Sequence, residues 1–278
     1  MSNVILFDMD GTLTPSRKKV DDKVIYMLYL LNHNKNIRKV GIITGSGYNY
    51  IEDQMEKFLD LLISDLDPEK FILLPCNGTQ SYEFFEEGHF GISSSVSMRA
   101  KLGDKAFELL IKQLVYLQHS LTTAFPDLPV SGHFVSNRGS TINWSPVGRD
   151  APSDLRRKFV KYDKEKGVRS AAKRMIEDSL KTQHELLPDF GGLASGITVA
   201  LGGETSLDIY PDGWDKTFPL DRFKDDKVWF IGDKCQENGN DKAIYDRFVE
   251  FGRAFETSGP EETVSIVYRK IMPFLINN

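Results

Sequence analysis

Val4-Ile5-Leu6-Phe7 is an uninterrupted apolar run. It is too short for a helix and suits a strand buried on both faces. The run stops in a polar cluster, Asp8-Met9-Asp10-Gly11-Thr12, and Asp22 to Asn32 then carries a helical pattern. Val40-Gly41-Ile42-Ile43 repeats the buried-strand pattern and stops in Thr44-Gly45-Ser46-Gly47, before a helix predicted over Tyr48 to Ile63. Phe71 to Leu74 is a third such run, followed by Cys76-Asn77-Gly78-Thr79. Strand, polar tip, helix, strand is the rhythm of a doubly wound parallel sheet. Ligands of such sheets gather outside the carboxyl ends of the strands, so the polar tips are candidate site positions.

The middle of the chain has a different pattern. Lys105 to Leu117 has apolar residues at helical spacing, and Val130 to Trp144 reads as strands with interleaved polar positions. Ser153 to Asp163 and Val168 to His184 read as helices, with Ser153 as N-cap of the first. Ile197 to Leu201 and Ser206 to Tyr210 read as strands around Gly202-Gly203. The buried-strand pattern returns at Val228 to Ile231, ending in Gly232-Asp233-Lys234, and helices are predicted over Lys242 to Phe251 and Glu261 to Leu275. The expected organisation is an α/β core over 1–82 and 211–278 and an inserted α+β cap domain over 83–210.

Composition narrows the function classes. Among 278 residues, 35 Lys and Arg oppose 40 Asp and Glu, a net charge of −5. A general nucleic-acid binder is usually basic, so none is expected as partner. Two cysteines exclude a disulfide-stapled scaffold, and the five scattered histidines offer no zinc spacing. No leader-like amino terminus and no apolar stretch of spanning length is present, so a cytoplasmic protein without a membrane partner is expected.

The chemistry lies at the strand tips. Asp8 and Asp10 are two apart just past a strand and would share a side if the alternation continues. A carboxylate is a competent nucleophile at phosphorus. Two carboxylates close together raise one another's proton affinity, which suits one of them to general acid/base work. The string Asp8-Met9-Asp10-Gly11-Thr12-Leu13-Thr14 resembles the first motif of the haloacid dehalogenase (HAD) phosphotransferases. That resemblance implies a HAD-like Rossmannoid core with a parallel sheet and a C2-type cap. It implies Asp8 as the nucleophile that forms an aspartyl-phosphate and Asp10 as the general acid/base. Thr44, with Ser46 as a rival, would be the second motif's hydroxyl, and Lys216 in Asp212-Gly213-Trp214-Asp215-Lys216 the third motif's cation. Mg²⁺ is the implied metal, held by Asp8, Asp233, the backbone carbonyl of Asp10 and, as supporting partner or through water, Asp241.

Longer strings resemble the eukaryotic-type α-phosphomannomutases: Asp8 to Arg17, Asn143-Trp144-Ser145-Pro146-Val147-Gly148-Arg149, Gly202 to Lys216, and Phe230 to Asp241. This resemblance implies a hexose phosphate as substrate, a hexose 1,6-bisphosphate as activator, and a homodimer formed through the cap. It implies that Arg138, Arg149 and Arg156 (or Arg157) bind the distal phosphate, with Arg17 near the entrance and Ser206 and Asp208 meeting phosphate and hydroxyls. An arginine fork can grip two phosphate oxygens at once. The sequence departs from the family at Thr44-Gly45-Ser46-Gly47, where Gly-Gly-Ser-Asp is usual, at Gly139-Ser140, at Ser131 and at Cys76. The first of these looks more like sugar-phosphate phosphatases of the superfamily. The expected activity is therefore interconversion of mannose 1-phosphate and mannose 6-phosphate, with a Mg²⁺-dependent sugar-phosphate phosphatase as the alternative. A fold retained for binding alone would predict damage at Asp8, Asp10, Lys216 or Asp233, and all four are intact.

Overall fold

The computed structural model of the chain describes residues 2–186 and 196–276. The chain forms two compact units, one of residues 1–95 and 214–278, the other of residues 96–213. The first unit opens with β1 (Asn3–Phe7), α1 (Asp22–His33), β2 (Ile37–Ile43), α2 (Tyr48–Asp65), β3 (Phe71–Leu74), β4 (Gln80–Phe84) and β5 (Phe90–Ser95). The second unit contains α3 (Met98–Leu102), α4 (Asp104–Ala124), β6 (Val135–Asn137), β7 (Ile142–Trp144), α5 (Ser153–Lys166), α6 (Val168–Leu186), β8 (Ile197–Gly202) and β9 (Ser206–Pro211). The chain then returns to the first unit with β10 (Lys227–Gly232), α7 (Lys242–Phe248), β11 (Ala254–Glu256), α8 (Pro260–Ile266) and α9 (Met272–Ile276).

The first sheet has the order β11-β10-β1-β2-β3-β4-β5. β1 pairs in parallel with β10 on one side and β2 on the other, and β2 pairs in parallel with β3. The apolar runs are continuous because each strand buries both faces. Ile5, Phe7, Val40, Ile42, Phe71, Leu73, Trp229 and Ile231 join one core with residues of α1, α2 and α8. The alternate positions Val4, Leu6, Ile43, Ile72, Leu74, Val228 and Phe230 join a second core with Ile244 of α7. This alternation holds the strands in register, since a slip of one residue would exchange the faces. It also places Asp8, Thr44, Pro75 and Asp233 just beyond four parallel carboxyl ends.

Two expectations need correction. The sequence pattern assigns residues 83–95 to the inserted domain, but they complete the hairpin β4–β5, antiparallel strands of the first sheet. The unit boundaries fall after Ser95 and Gly213. Ser153 is not the N-cap of α5: Pro152 takes the cap position with extended backbone, and no side chain caps the helix. Proline's fixed φ suits that extended turn. The helix expected over Glu261 to Leu275 is present as one continuous run from Pro260 to Ile276, with wider turns over Val267–Ile271 between α8 and α9.

The second unit has an antiparallel sheet of order β6-β7-β9-β8. Buried positions recur along α4 at Phe107, Leu110, Leu114, Leu117 and Leu121, and along α6 at Val168, Ala172, Ile176 and Leu180. These are the three- and four-residue steps of single buried helix faces. Buried Trp144 of β7 donates its Nε1–H to Gln118 Oε1 of α4 at 2.8 Å, tying sheet to helix.

Phe58 of α2 is fully buried and meets Phe71 edge-on at 5.0 Å between ring centroids. Phe58→Ala should destabilise the first unit by about 3–5 kcal/mol through lost burial and the cavity left behind. Urea denaturation of the variant against the unmodified protein measures this; a loss under about 1 kcal/mol contradicts the packing described.

Candidate active site

The loop after β1 folds around one carbonyl. Met9 O accepts from the backbone N–H groups of Thr12, Leu13 and Thr14 at 3.2, 2.9 and 3.0 Å. Met9 itself is buried in the core, so the loop is anchored from within. Gly11 takes φ +84°, and a β-carbon there would lie 2.3 Å from Asp233 Oδ2. Only glycine serves both the left-handed backbone and that close approach. Thr14 Oγ donates to Gln54 Oε1 of α2 at 2.8 Å.

Asp8 is almost fully buried, and its Oδ1 accepts a short hydrogen bond from Lys216 Nζ. Thr12 Oγ donates to the other oxygen at 3.4 Å. Lys216 has no solvent exposure and also donates to Asp241 Oδ1 at 2.5 Å. Asp241 Oδ2 accepts from the Lys234 backbone N–H at 3.0 Å. Asp241 therefore spends both oxygens on positioning. Asp8, Asp233 and Asp241 each bring a carboxylate oxygen within 4.8 Å of the others. Asp10 departs from the expected shared orientation: its Oδ1 accepts from the Arg17 N–H at 2.8 Å, and its carboxylate is outside the acidic cluster. Arg17 is exposed, with its guanidinium 5.8 Å from the Tyr50 ring centroid.

Electrostatics follow from burial. Burial lowers the proton affinity of Lys216, but Asp241 and Asp8 outweigh it and hold the amine above the usual lysine range. Lys216 sits between Asp8 and Asp241, and Lys234 Nζ stands 3.8 Å from Asp233 Oδ2. Burial, reinforced by Asp241 and Asp233 against the pull of Lys216, pushes Asp8 up to about 8. Burial likewise raises Asp233. Asp233 Oδ1 is buried and has no hydrogen-bond partner among the described residues. An all-oxygen cluster with one unspent oxygen fits a hard divalent cation.

The tip of β2 presents Thr44, which is buried and whose Oγ accepts from the Ser46 N–H at 3.1 Å. Ser46 is half-buried. The tip of β3 is a left-handed turn, with φ of +51° at Cys76, +62° at Asn77 and +79° at Gly78. Asparagine tolerates this region, but at Cys76 it stores strain of order 1–3 kcal/mol.

The second unit has its own polar cluster. Asn143 of β7 lies opposite Asp208 of β9 and donates to its Oδ1 at 2.7 Å. Arg138 Nη1 reaches the same oxygen at 3.5 Å, and Arg149 Nη1 donates to Asn143 Oδ1 at 3.3 Å. Asn143 thus links Arg149 to Asp208, and Arg138 reaches Asp208 directly. Ser206 Oγ turns back to Gly202 O at 2.9 Å. Arg156 is half-buried in the first turn of α5, and Arg157 beside it is exposed. Sequence reasoning gave no role to Thr12, Gln54 or Asn143. Thr12 and Asn143 stood inside quoted motifs, whereas nothing in the sequence marked Gln54.

A carboxylate buried against a lysine at the carboxyl end of a parallel strand, with a second unit inserted in the chain, marks an enzyme of the HAD phosphotransferase class. Solved structures share the fold: a Plasmodium falciparum IMP-nucleotidase superposes with a TM-score of 0.60 at 16% identity, covering 98% of this chain and 70% of that one. The C-terminal domain of a C. albicans trehalose-6-phosphate phosphatase gives 0.52 at 15% identity, covering 95% and 90%. The profile of a family described as eukaryotic phosphomannomutase matches residues 27–273. A phosphomannomutase of Saccharomyces cerevisiae is 31% identical over 268 residues, 95% of this chain and 92% of that protein. A probable phosphomannomutase of Caenorhabditis elegans is 31% identical over 269 residues, 94% and 92%. The chain belongs to the eukaryotic phosphomannomutase family.

Lys216→Met should cost about 3–5 kcal/mol of stability at neutral pH, because it strands buried carboxylates without their cation. Lys216 is what pulls the proton affinity of Asp8 down against burial, so losing it raises Asp8 further above its unfolded value. The folded variant then keeps a proton that the unmodified protein releases near pH 8, so the deficit should grow as pH rises past about 8. Urea midpoints between about pH 7 and 9.5 test this; a deficit that shrinks over that rise contradicts it.

Proposed function

We propose that this protein interconverts mannose 1-phosphate and mannose 6-phosphate. The observation that carries this reading is the Arg138–Asp208–Asn143–Arg149 cluster on the second unit, a ready recognition site for a second phosphate and hydroxyls. A hydrolase needs to handle one phosphate only; a mutase must hold one phosphate while the other reacts.

In this reading Asp8 is the nucleophile and carries the phosphoryl group as an aspartyl-phosphate. Lys216 stands against Asp8 and stabilises charge that develops on the transferring group. Thr44 has its oxygen engaged by the Ser46 N–H, which leaves its O–H to donate to the phosphoryl oxygens. Asp10 takes the proton from the attacking sugar hydroxyl and returns it to the departing one. The side chains of Asp8 and Asp233 and the backbone carbonyl of Asp10 would hold Mg²⁺, with Asp241 in support through Lys216 and the Lys234 N–H. When bound, that ion supplies positive charge against the repulsion between carboxylate and phosphate. Phosphorylated Asp8 gives its phosphoryl group to a hexose monophosphate. The bisphosphate turns around, and Asp8 removes the other phosphate. A hexose 1,6-bisphosphate primes the cycle by loading Asp8. Arg138, Arg149 and Arg156 grip the phosphate that is not reacting, with Ser206 and Asp208 at phosphate and hydroxyls and Arg17 guiding entry.

A cytoplasmic homodimer through the second unit accompanies this reading. In support, Val115, Tyr116 and Val130 are exposed at 61%, 63% and 47%, beside an apolar groove of about 450 Å³ that includes Phe134 and Val135. No helix among the described residues is long and apolar enough to cross a membrane.

Phosphorus NMR of the protein with Mg²⁺, mannose 1-phosphate and a trace of glucose 1,6-bisphosphate tests the proposal. Mannose 6-phosphate should accumulate far beyond the activator, with little free phosphate. Inorganic phosphate as the main product would establish the phosphatase alternative. Arg149→Ala should raise KM for mannose 1-phosphate by about tenfold or more, since one charge-assisted phosphate contact contributes about 1.5–3 kcal/mol.

A further inference from the structure

Lys216 is a long side chain, so its ammonium is only as well placed as the backbone from which it reaches. Inside the segment 214–219 the backbone is stiff. Asp215 Oδ1 accepts from the Thr217 N–H at 2.7 Å and from Thr217 Oγ at 2.6 Å. Phe218 N donates to Asp215 O at 2.9 Å, and the Trp214 and Phe218 rings meet edge-on at 5.8 Å. Stiffness does not locate the segment, and none of these contacts ties it to the strand tips.

The turn after β3 makes that tie on both sides of the lysine. Buried Asn77 donates its side-chain amide to Trp214 O at 3.3 Å, two residues before Lys216. Gly78 packs against the ring of Pro219, three residues after Lys216; a β-carbon on Gly78 would come within 2.5 Å of a ring carbon. On its other side the same turn is bonded to the tip of β2. Asn77 N donates to Thr44 O at 2.8 Å and Cys76 N to Ser46 O at 2.9 Å. Thr79 Oγ donates to Cys76 O at 2.5 Å and closes the turn on itself. Consecutive residues at positive φ aim the amide, the backbone N–H groups and the bare Gly78 face at two different loops.

We infer that Asn77 is a positioning residue: the left-handed turn Cys76–Asn77–Gly78 sets the distance between the Thr44 loop and the Lys216 segment, and so places the lysine at Asp8. The strain at Cys76 is the conformational cost of facing both loops at once. The inference rests on Asp8 and Lys216 as reaction groups, but not on the identity of the sugar.

Two variants remove the amide donor while keeping the backbone. Asn77→Gly retains freedom at positive φ, and Asn77→Asp keeps shape and tolerance but presents only acceptors to Trp214 O. Each should lower kcat by about 10- to 100-fold with KM changed less than about threefold, the signature of misplacement instead of lost binding. The assay runs with mannose 1-phosphate and, separately, as hydrolysis of p-nitrophenyl phosphate, which requires no sugar site. If the unmodified protein hydrolyses the aryl phosphate without isomerising the sugar, the mutase reading fails and the Asn77 effect is still read. If both variants keep full kcat on whichever substrate the unmodified protein turns over, the positioning inference fails alone. Hydrogen exchange adds a readout that needs no turnover. In the unmodified protein, the amides of Asn77 and Gly78 and those of Thr217 and Phe218 should open at a common rate. In the variants, Thr217 and Phe218 should exchange about tenfold faster or more, while β1 keeps its protection. A lysine segment that opens independently of the turn in the unmodified protein would overturn the inference, as would kcat loss with exchange unchanged.

Discussion

A lysine ammonium buried between two carboxylates is the constraint around which the first unit is organised. Lys216 has no water to solvate it, so it depends on Asp8 and Asp241 for its charge, and they depend on it. The three come from places distant in sequence: the end of β1, the segment before β10, and the loop leading into α7. A buried pair is weak evidence for stability, because desolvation consumes much of the attraction. Its value here is positional. Each partner tolerates only a narrow set of arrangements, so the charges fix where the strand tips sit relative to one another. The unspent Asp233 oxygen beside them is the feature a bound divalent cation would engage.

The second unit solves a related problem with different means. Its charges are partly solvated and are joined by an uncharged residue. Asn143 donates to Asp208 with its amide and accepts from Arg149 with its carbonyl, so one neutral side chain orients one acid and one base. A neutral link of this kind orients a guanidinium without neutralising its charge, as the proposed phosphate site requires. Arg138 reaches the same carboxylate only at 3.5 Å.

The parallel strands are legible in the sequence because burial on both faces writes a continuous apolar run, a pattern hard to mistake when a polar tip follows. The strand tips alone point to Asp8, Thr44 and Asp233. The hairpin β4–β5 escapes such a reading because β5 is an edge strand ending in Ser93, Ser94 and Ser95, largely exposed and without alternation. β11 escapes because three residues carry too little pattern. The roles of Lys216 and the arginines come from resemblance to a family, since an isolated lysine or arginine carries no positional signal. Asn143 opposite Asp208 is out of reach for another reason: the pairing spans 65 residues, and nothing local encodes that register. The left-handed turn at Cys76 is equally hidden, because a non-glycine residue at positive φ is imposed by its surroundings.

The proposed chemistry rests on Asp8 as the acceptor of the phosphoryl group. The direct measurement is acid quench of the protein after brief exposure to glucose 1,6-bisphosphate labelled with ³²P, followed by peptide mapping. The label should be found on the peptide carrying Asp8, be released by mild base as an acyl phosphate is, and be absent from Asp8→Asn. A label on another residue, or an Asp8→Asn protein that still takes up phosphate, would contradict the assignment of the site.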